Sequence, residues 1–416
     1  MKNTPKLIMA SALAAALASG TAMAQFDSGS NGSYGPMNIT SNTTLQLPED
    51  GVFHCTTITI ASGATLKFSK NSANTPVYLL ATGDVTFTGV NGIPSIDVSG
   101  FGGVGVAGGA GGPGGFDGGQ GGAEPGDGAG PGGGAWGWTG DSGPWDNKPN
   151  ELPYRGAAGY SNRPANTNQS VTGGAIYGNA LLIPIIGGSG GGGGKTETLQ
   201  YSWGGGGGGG AVVIASNTRI VFPTNGYSVV LANGGSGTQS GNSPAFGGGS
   251  GGAVRLVAPE IRGSIDIRIS AANGQGPSGG GMGKIRIDAI NRGALQLINN
   301  DGFSAQYASF GSNMVVFPPN FPILRIKQVG TEIISDTQID PVFVLFPAGS
   351  TEAQTVRVIV KDFNTSVPLR AVVTPQNGSK QTFDFTVDNS AGGSSEGSVQ
   401  VNIPAGVASR VDVWTR

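Results

Sequence analysis

Apolar and polar residues alternate in short runs along the first two thirds of the chain. Ile39 to Leu47, Thr57-Ile58-Thr59-Ile60 and Thr65-Leu66-Lys67-Phe68 alternate apolar and polar residues at roughly every second position. That period of two belongs to a half-buried strand, because successive side chains of an extended chain point to opposite faces. No segment after the first residues shows a helical period, so the pattern predicts an all-β chain.

The runs come in an order that repeats. Val77-Tyr78-Leu79-Leu80 leads to Val85-Thr86-Phe87 and then to Ile96-Asp97-Val98-Ser99-Gly100. Ala211-Val212-Val213-Ile214 is followed by Arg219-Ile220-Val221-Phe222 and by Val229-Val230-Leu231-Ala232-Asn233-Gly234-Gly235. Ala253 to Val257, Ile265 to Ile269 and Ala272-Asn273-Gly274 make a third copy. Lys284 to Ile287 and Leu295 to Ile298 read as the last rungs. Units of this size, repeated, stack on a shared core. The expectation is a parallel β-helix-like solenoid over 25–317, carrying glycine-rich loops and a long insertion around 101–210.

Pro318 to Pro322 reads as a linker, since proline favours extended backbone. Beyond it, about seven short alternating runs predict an immunoglobulin-like β-sandwich over 323–416. They are Ile323 to Val329, Val342 to Phe346, Val356 to Val360, Leu369 to Val373, Phe383 to Val387, Val399 to Ile403 and Val411 to Val413.

Glycine changes this picture. There are 78 glycines in 416 residues, more than half of them between Phe101 and Gly280, including the unbroken run Gly204 to Gly210. Two readings stay open. The tracts are flexible spacers, or they adopt polyproline-II geometry, whose N–H and C=O groups point outward and can bond neighbouring tracts. Repetition favours the second reading, because stacked rungs deliver such tracts side by side.

The first residues carry an export signal: Lys2 and Lys6, an apolar stretch from Leu7 to Ala18, and Ala22-Met23-Ala24 as the cleavage site. Residues 1–24 are read as this signal, and the mature chain as extracellular or at the cell surface. The stretch is shorter than the roughly 20 residues of a membrane span, and no later segment approaches that length. Removing Lys2 and Lys6 lowers the basic count from 23 to 21 against 25 acids, a net charge of about −4. This disfavours a nucleic-acid partner.

Thr57-Ile58-Thr59-Ile60, Ala81-Thr82-Gly83-Asp84-Val85, Gly111 to Gly119 and Gly187 to Gly191 together resemble a group of uncharacterised secreted bacterial glycine-rich proteins, over about residues 50–290. That resemblance implies an architecture and no reaction. Tyr201-Ser202-Trp203 with Gly204 to Gly210 resembles the glycine-rich motifs of T-even-type phage tail-tip adhesins. It implies a rigid polyglycine-II core whose variable end loops bind a host surface.

Candidate chemistry is sparse. Ser189 to Thr196 nearly matches a phosphate-binding loop, but Ser189 replaces the first glycine and no helix follows. Gly103 to Gly108 matches a dinucleotide fingerprint, equally without a helix. The single histidine, His54, adjoins the single cysteine, Cys55; in a strand the two face opposite sides. No cofactor is expected. Calcium is the one metal left open, through Asp117, Glu124, Asp127, Asp141, Asp146 and Glu151, which otherwise read as solvated loop acids.

Aromatics are more suggestive. Trp136, Trp138, Trp145 and Trp203 lie in the glycine-rich region, with Tyr154, Tyr160, Tyr177 and Tyr201 nearby. They suit sugar rings or a protein surface. They also suit a satellite core pinning the insertion Asp141 to Ala175 onto the rungs. The leading expectation is a secreted structural or adhesive surface or matrix protein that binds cell-surface glycan or extracellular polysaccharide, with self-association left open. The alternative is a β-helix polysaccharide lyase or glycoside hydrolase using carboxylates such as Asp84, Asp97, Asp266 and Asp288.

Overall fold

A computed structural model describes residues 26–89, 93–139, 160, 174–196, 202–223, 229–238, 247–263, 268–275, 279–292, 308–335, 342–347, 349–376 and 380–416. Residues 1–24, read above as an export signal, most of Asp141 to Ala175 with Trp145, Asp141, Asp146 and Glu151, and the rung expected at Leu295 to Ile298 lie outside the described residues.

The chain begins with β1 (Gly35–Ile39) and β2 (Thr43–Gln46), then β3 (Val52–Ile60) and β4 (Leu66–Ser69), then β5 (Val77–Ala81), β6 (Val85–Phe87) and β7 (Ile96–Asp97). Three short strands follow: β8 (Gly137–Thr139), β9 (Gly194–Thr196) and β10 (Ser202–Trp203). The longer order then resumes with β11 (Ala211–Ser216), β12 (Arg219–Val221), β13 (Val229–Leu231), β14 (Ala253–Arg262), β15 (Arg268–Ser270), β16 (Lys284–Asn291) and β17 (Ala308–Gly311).

The strand pairing corrects the expected solenoid with glycine loops and an immunoglobulin-like sandwich. Among the described residues there is no helix and 42% strand, spread over five sheets of mixed parallel and antiparallel sense. Nine strands form one broad parallel sheet: β1, β3, β5, β6, β11, β12, β14, β16 and β17. Its strands do not stack one above one. The start of β3 pairs with β5 and its end with β6, and β14 is shared in the same way between β11 and β12. A second parallel sheet joins β2, β4, β7, β13 and β15. The expectation rests on each unit having the same strand order; the glycine backbone between the strands bonds to itself, and the strands do not pair one to one as a solenoid requires.

Side chains between the two parallel sheets form the main core. Phe53, Leu79, Ile214, Leu256 and Ile287 fall in one register across neighbouring strands, all buried. Phe87 and Phe222 stack at 4.9 Å. The broad sheet is also covered on its outer face, where Tyr78, Leu80, Val213 and Val257 meet Phe26, Tyr160, Leu182, Ile185 and Val316. Burial on both faces explains why β5 and β11 read as unbroken apolar runs.

The glycine tracts are packed structure rather than loops. From Gly205 to Gly210 the backbone N–H groups bond in turn to the carbonyls of Gly119, Gly247, Phe101, Phe116, Ser250 and Val98, at 2.7–2.9 Å. Thus Gly207 and Gly210 turn to one neighbouring segment, Gly205 and Gly208 to a second, and Gly206 and Gly209 to a third. Three residues per turn, with bonds leaving on three sides, let one chain hold three neighbours. Close approach demands glycine here, since a Cβ on Gly208 would fall inside contact distance of the Gly188 carbonyl oxygen.

The C-terminal unit comprises β18 (Ile323–Val329), β19 (Glu332–Ile333), β20 (Ala353–Lys361), β21 (Ser366–Pro375), β22 (Gln381–Asp388), β23 (Ser394–Asn402) and β24 (Ser409–Thr415). Two antiparallel sheets, ordered β19-β18-β20-β23 and β22-β21-β24, enclose Val356, Val358, Val360, Leu369, Ala371 and Val373. The expected strand at Val342 to Phe346 is absent; among the described residues that segment pairs with no strand, and the two-residue β19 takes the sheet edge. This unit rests on the glycine layer. Trp414 packs on Phe116 at 5.9 Å, and Arg410 reaches Asp117 at 3.4 Å.

Candidate binding tip

The glycine segments start after Val98, which follows β7 of the second parallel sheet, and end at Gly210 and Gly252, which lead into β11 and β14 of the broad sheet; between them lies an end where the chain turns back. There Val104 and Ala107 bridge one another, Gly204 donates to the Gly105 carbonyl, and Gly121 donates to that of Val106. The small sheet β8-β9-β10 continues the same glycine segments, with Gly137 and Trp203 both paired to Gly194. Val104 is 78% and Val106 54% exposed, part of an exposed stretch from Phe101 to Ala107 at this end.

Trp136 lies in this end and is 40% exposed. Its backbone N–H donates to Asp127 Oδ1 at 2.8 Å, while Lys195 Nζ lies 5.9 Å from its ring centroid and donates to the Ala123 carbonyl at 2.8 Å. One aromatic ring is therefore held between a fixed backbone and a cation, with part of its surface free. Trp138 sits in β8 opposite Lys195. Trp203 is in β10 and buried, so it packs beneath the end rather than on its surface. Trp145 lies outside the described residues.

Tyr160 and Tyr177 belong elsewhere. They meet edge to face at 4.5 Å over the outer face of the broad sheet, donating their hydroxyls to the carbonyls of Ile186 and Gly187. For these two the satellite-core reading is the one the packing matches.

The phosphate-loop resemblance dissolves in the backbone. The N–H groups of Gly187, Gly188, Gly190, Gly191 and Gly193 donate to Gly114, Gly209, Ala129, Gly206 and Gly126, and that of Ser189 to Ser250 Oγ. None of these is turned toward a common anion site. Cys55 is buried in the main core, and burial pushes its thiol up to about 12. His54 faces the other side, its Nδ1 accepting from the Asn31 N–H at 3.4 Å. Native protein at pH 8 is expected to be alkylated at Cys55 far more slowly than protein unfolded in denaturant, because the thiolate is the reacting form. Equal rates in the two states would contradict this burial.

The rung carboxylates are held apart in ion pairs. Asp84 binds Arg219 at 2.8 Å and accepts from Thr218; burial would raise its pKa, yet these partners hold it low. Asp97 pairs with Lys67 at 3.1 Å. Asp117, also favoured upward by burial, is lowered by Lys70, the Gly111 N–H and Arg410. Asp266 lies outside the described residues. Among the described residues no three His, Cys, Asp or Glu side chains gather as a metal group.

The fourth rung carboxylate, Asp288, stands in a buried charge cluster whose two arginines the sequence reading does not single out. Asp288 is fully buried between Arg255, at 3.1 Å, and Arg286, at 2.7 Å. Arg255 is itself 1% exposed; burial lowers its pKa, opposed by Asp288. Asn313 completes the cluster, its N–H donating to Asp288 Oδ1 and its carbonyl accepting from Arg255. The cluster ties the sheet to the segment that leads into the linker. The signal available was Arg286 and Asp288 two positions apart on one strand face, with Arg255 inside an apolar run.

No protein family, curated protein or solved structure matches this chain. No helix among the described residues is long and apolar enough to cross a membrane.

Proposed function

We propose that this chain is an exported structural and adhesive protein that presents Trp136, with Trp138 two positions along in β8, at the end of its glycine layer to a cell-surface glycan or extracellular polysaccharide. The observation that carries this reading is the setting of Trp136: a partly exposed ring, fixed by Asp127 and Lys195, on a layer whose own atoms are almost all backbone. A flat aromatic face with a neighbouring polar group is the general device for holding a sugar ring, whose C–H face packs on the ring while its hydroxyls bond alongside. Rigidity matters because a site that is already ordered loses little entropy on binding. Trp203 and Val106 support the end from below and beside it, and the C-terminal unit braces the layer through Trp414 and Arg410.

The test is retention of the mature chain on glycan arrays and on insoluble polysaccharide. Trp136→Ala is expected to weaken binding by roughly tenfold or more, the usual scale for losing an anchoring aromatic. Its thermal unfolding should be unchanged, since the ring is not a core residue. Undiminished retention by a folded Trp136→Ala, Trp138→Ala double variant would sink the proposal.

A further inference from the structure

Val342 to Phe346 is a segment that no sheet uses. Val344 and Phe346 point inward onto the core of the C-terminal unit, whereas Phe343 and Leu345 are 89% and 88% exposed. Alternation of this kind is the signature of a strand. Yet none of the backbone N–H or C=O groups from Val342 to Phe346 has a hydrogen-bond partner among the described residues. Phe346 lies against Gly330, in the turn between β18 and β19, and Ile333 of that short edge strand is also exposed.

We propose that this segment is the surface through which two copies of the chain associate, by antiparallel pairing of Val342 to Phe346 with the same residues of a second copy. The sequence is self-complementary for that purpose. With Val344 facing its own counterpart, Phe343 of each copy falls opposite Leu345 of the other, an apolar cross-strand pair on both sides of a two-fold axis. No charge lies between Pro341 and Pro347, so two chains that each carry net negative charge meet there without repulsion. The prolines lack the N–H needed to continue a ladder, and so confine pairing to the five residues between them. Two Phe343 rings would bury about 300–500 Å², and with Leu345 added the area stays below the ~1,200 Å² of a stable interface. The dimer is therefore weak and depends on concentration. This pairing stands apart from the glycan-binding end and does not rest on it.

Sedimentation of the full mature chain over a wide concentration range tests it. The wild type is expected to double its mass as concentration rises, whereas Phe343→Lys should remain monomeric, its dissociation constant raised by at least about a hundredfold because two charges enter an apolar strip. Both side chains are exposed, so neither fold should suffer. In oxidising conditions a mixture of Phe343→Cys and Leu345→Cys chains should cross-link faster than either chain alone. A wild type that stays monomeric, a Phe343→Lys chain that dimerises as readily, or cross-linking without preference for the mixed pair overturns the proposal.

Discussion

Replacing Gly208 by alanine is expected to cost more than about 3 kcal/mol of stability, at or beyond the upper end of ordinary overpacking. The added methyl group meets the carbonyl oxygen and carbon of Gly188 and the nitrogen of Ser189, all backbone atoms. Those atoms cannot swing aside as a side-chain tip can, because Gly188 donates to Gly209 and Ser189 to Ser250. Relief would require spreading the whole layer and breaking bonds on several sides. Gly126→Ala is the control, since its Cβ would find only ordinary contacts with Gln120. Denaturant unfolding should give a much lower midpoint for the first variant and a nearly unchanged one for the second. Equal midpoints would mean that the glycine layer contributes little to stability.

The second large effect is expected at Asp288. Truncation to alanine leaves Arg255 buried without its carboxylate and deprives the Asn313 N–H of its acceptor. Removing one member of a buried ion pair costs about 3–5 kcal/mol, chiefly because the remaining charge cannot return to water. The double variant Arg255→Met, Asp288→Leu should recover most of that loss, as apolar replacement of a whole buried pair often does. Arg286, which is 11% exposed, retains a route to solvent. If the double variant is as unstable as Asp288→Ala alone, the cluster acts by aligning Asn313 and the segment before the linker rather than by pairing charge.

Strands were legible wherever one side chain in two had to be apolar, as in β3, β4 and β20. Their partners were less so. Nothing local distinguishes a strand that meets one neighbour along an edge from β3, which meets β5 and β6 in succession along one edge and β1 along the other, because the break between β5 and β6 lies in a different part of the chain. Val342 to Phe346 has the right alternation for a strand, but pairing needs an adjacent edge, which periodicity does not report. The glycine runs posed the opposite problem. They carry no side-chain pattern, so the partner of each N–H is set by how the sheets deliver the tracts. Of the tryptophans, composition marked the region but could not separate the exposed Trp136 from the buried Trp203, since both stand beside glycine. Arg255 was hidden because a charge inside an apolar run looks like an outward-facing residue until a second layer covers it.

The threefold turn of Gly205 to Gly210 sets a rule for how such a molecule can vary in length. Inserting or deleting three residues in a tract returns every later donor to the direction it had before, so the neighbours still match. A change of one or two residues rotates all of them by a third or two thirds of a turn and sets each against the wrong chain. The glycine layer is thus a ruler marked in threes, free to grow or shorten by whole divisions while the end it carries keeps its orientation.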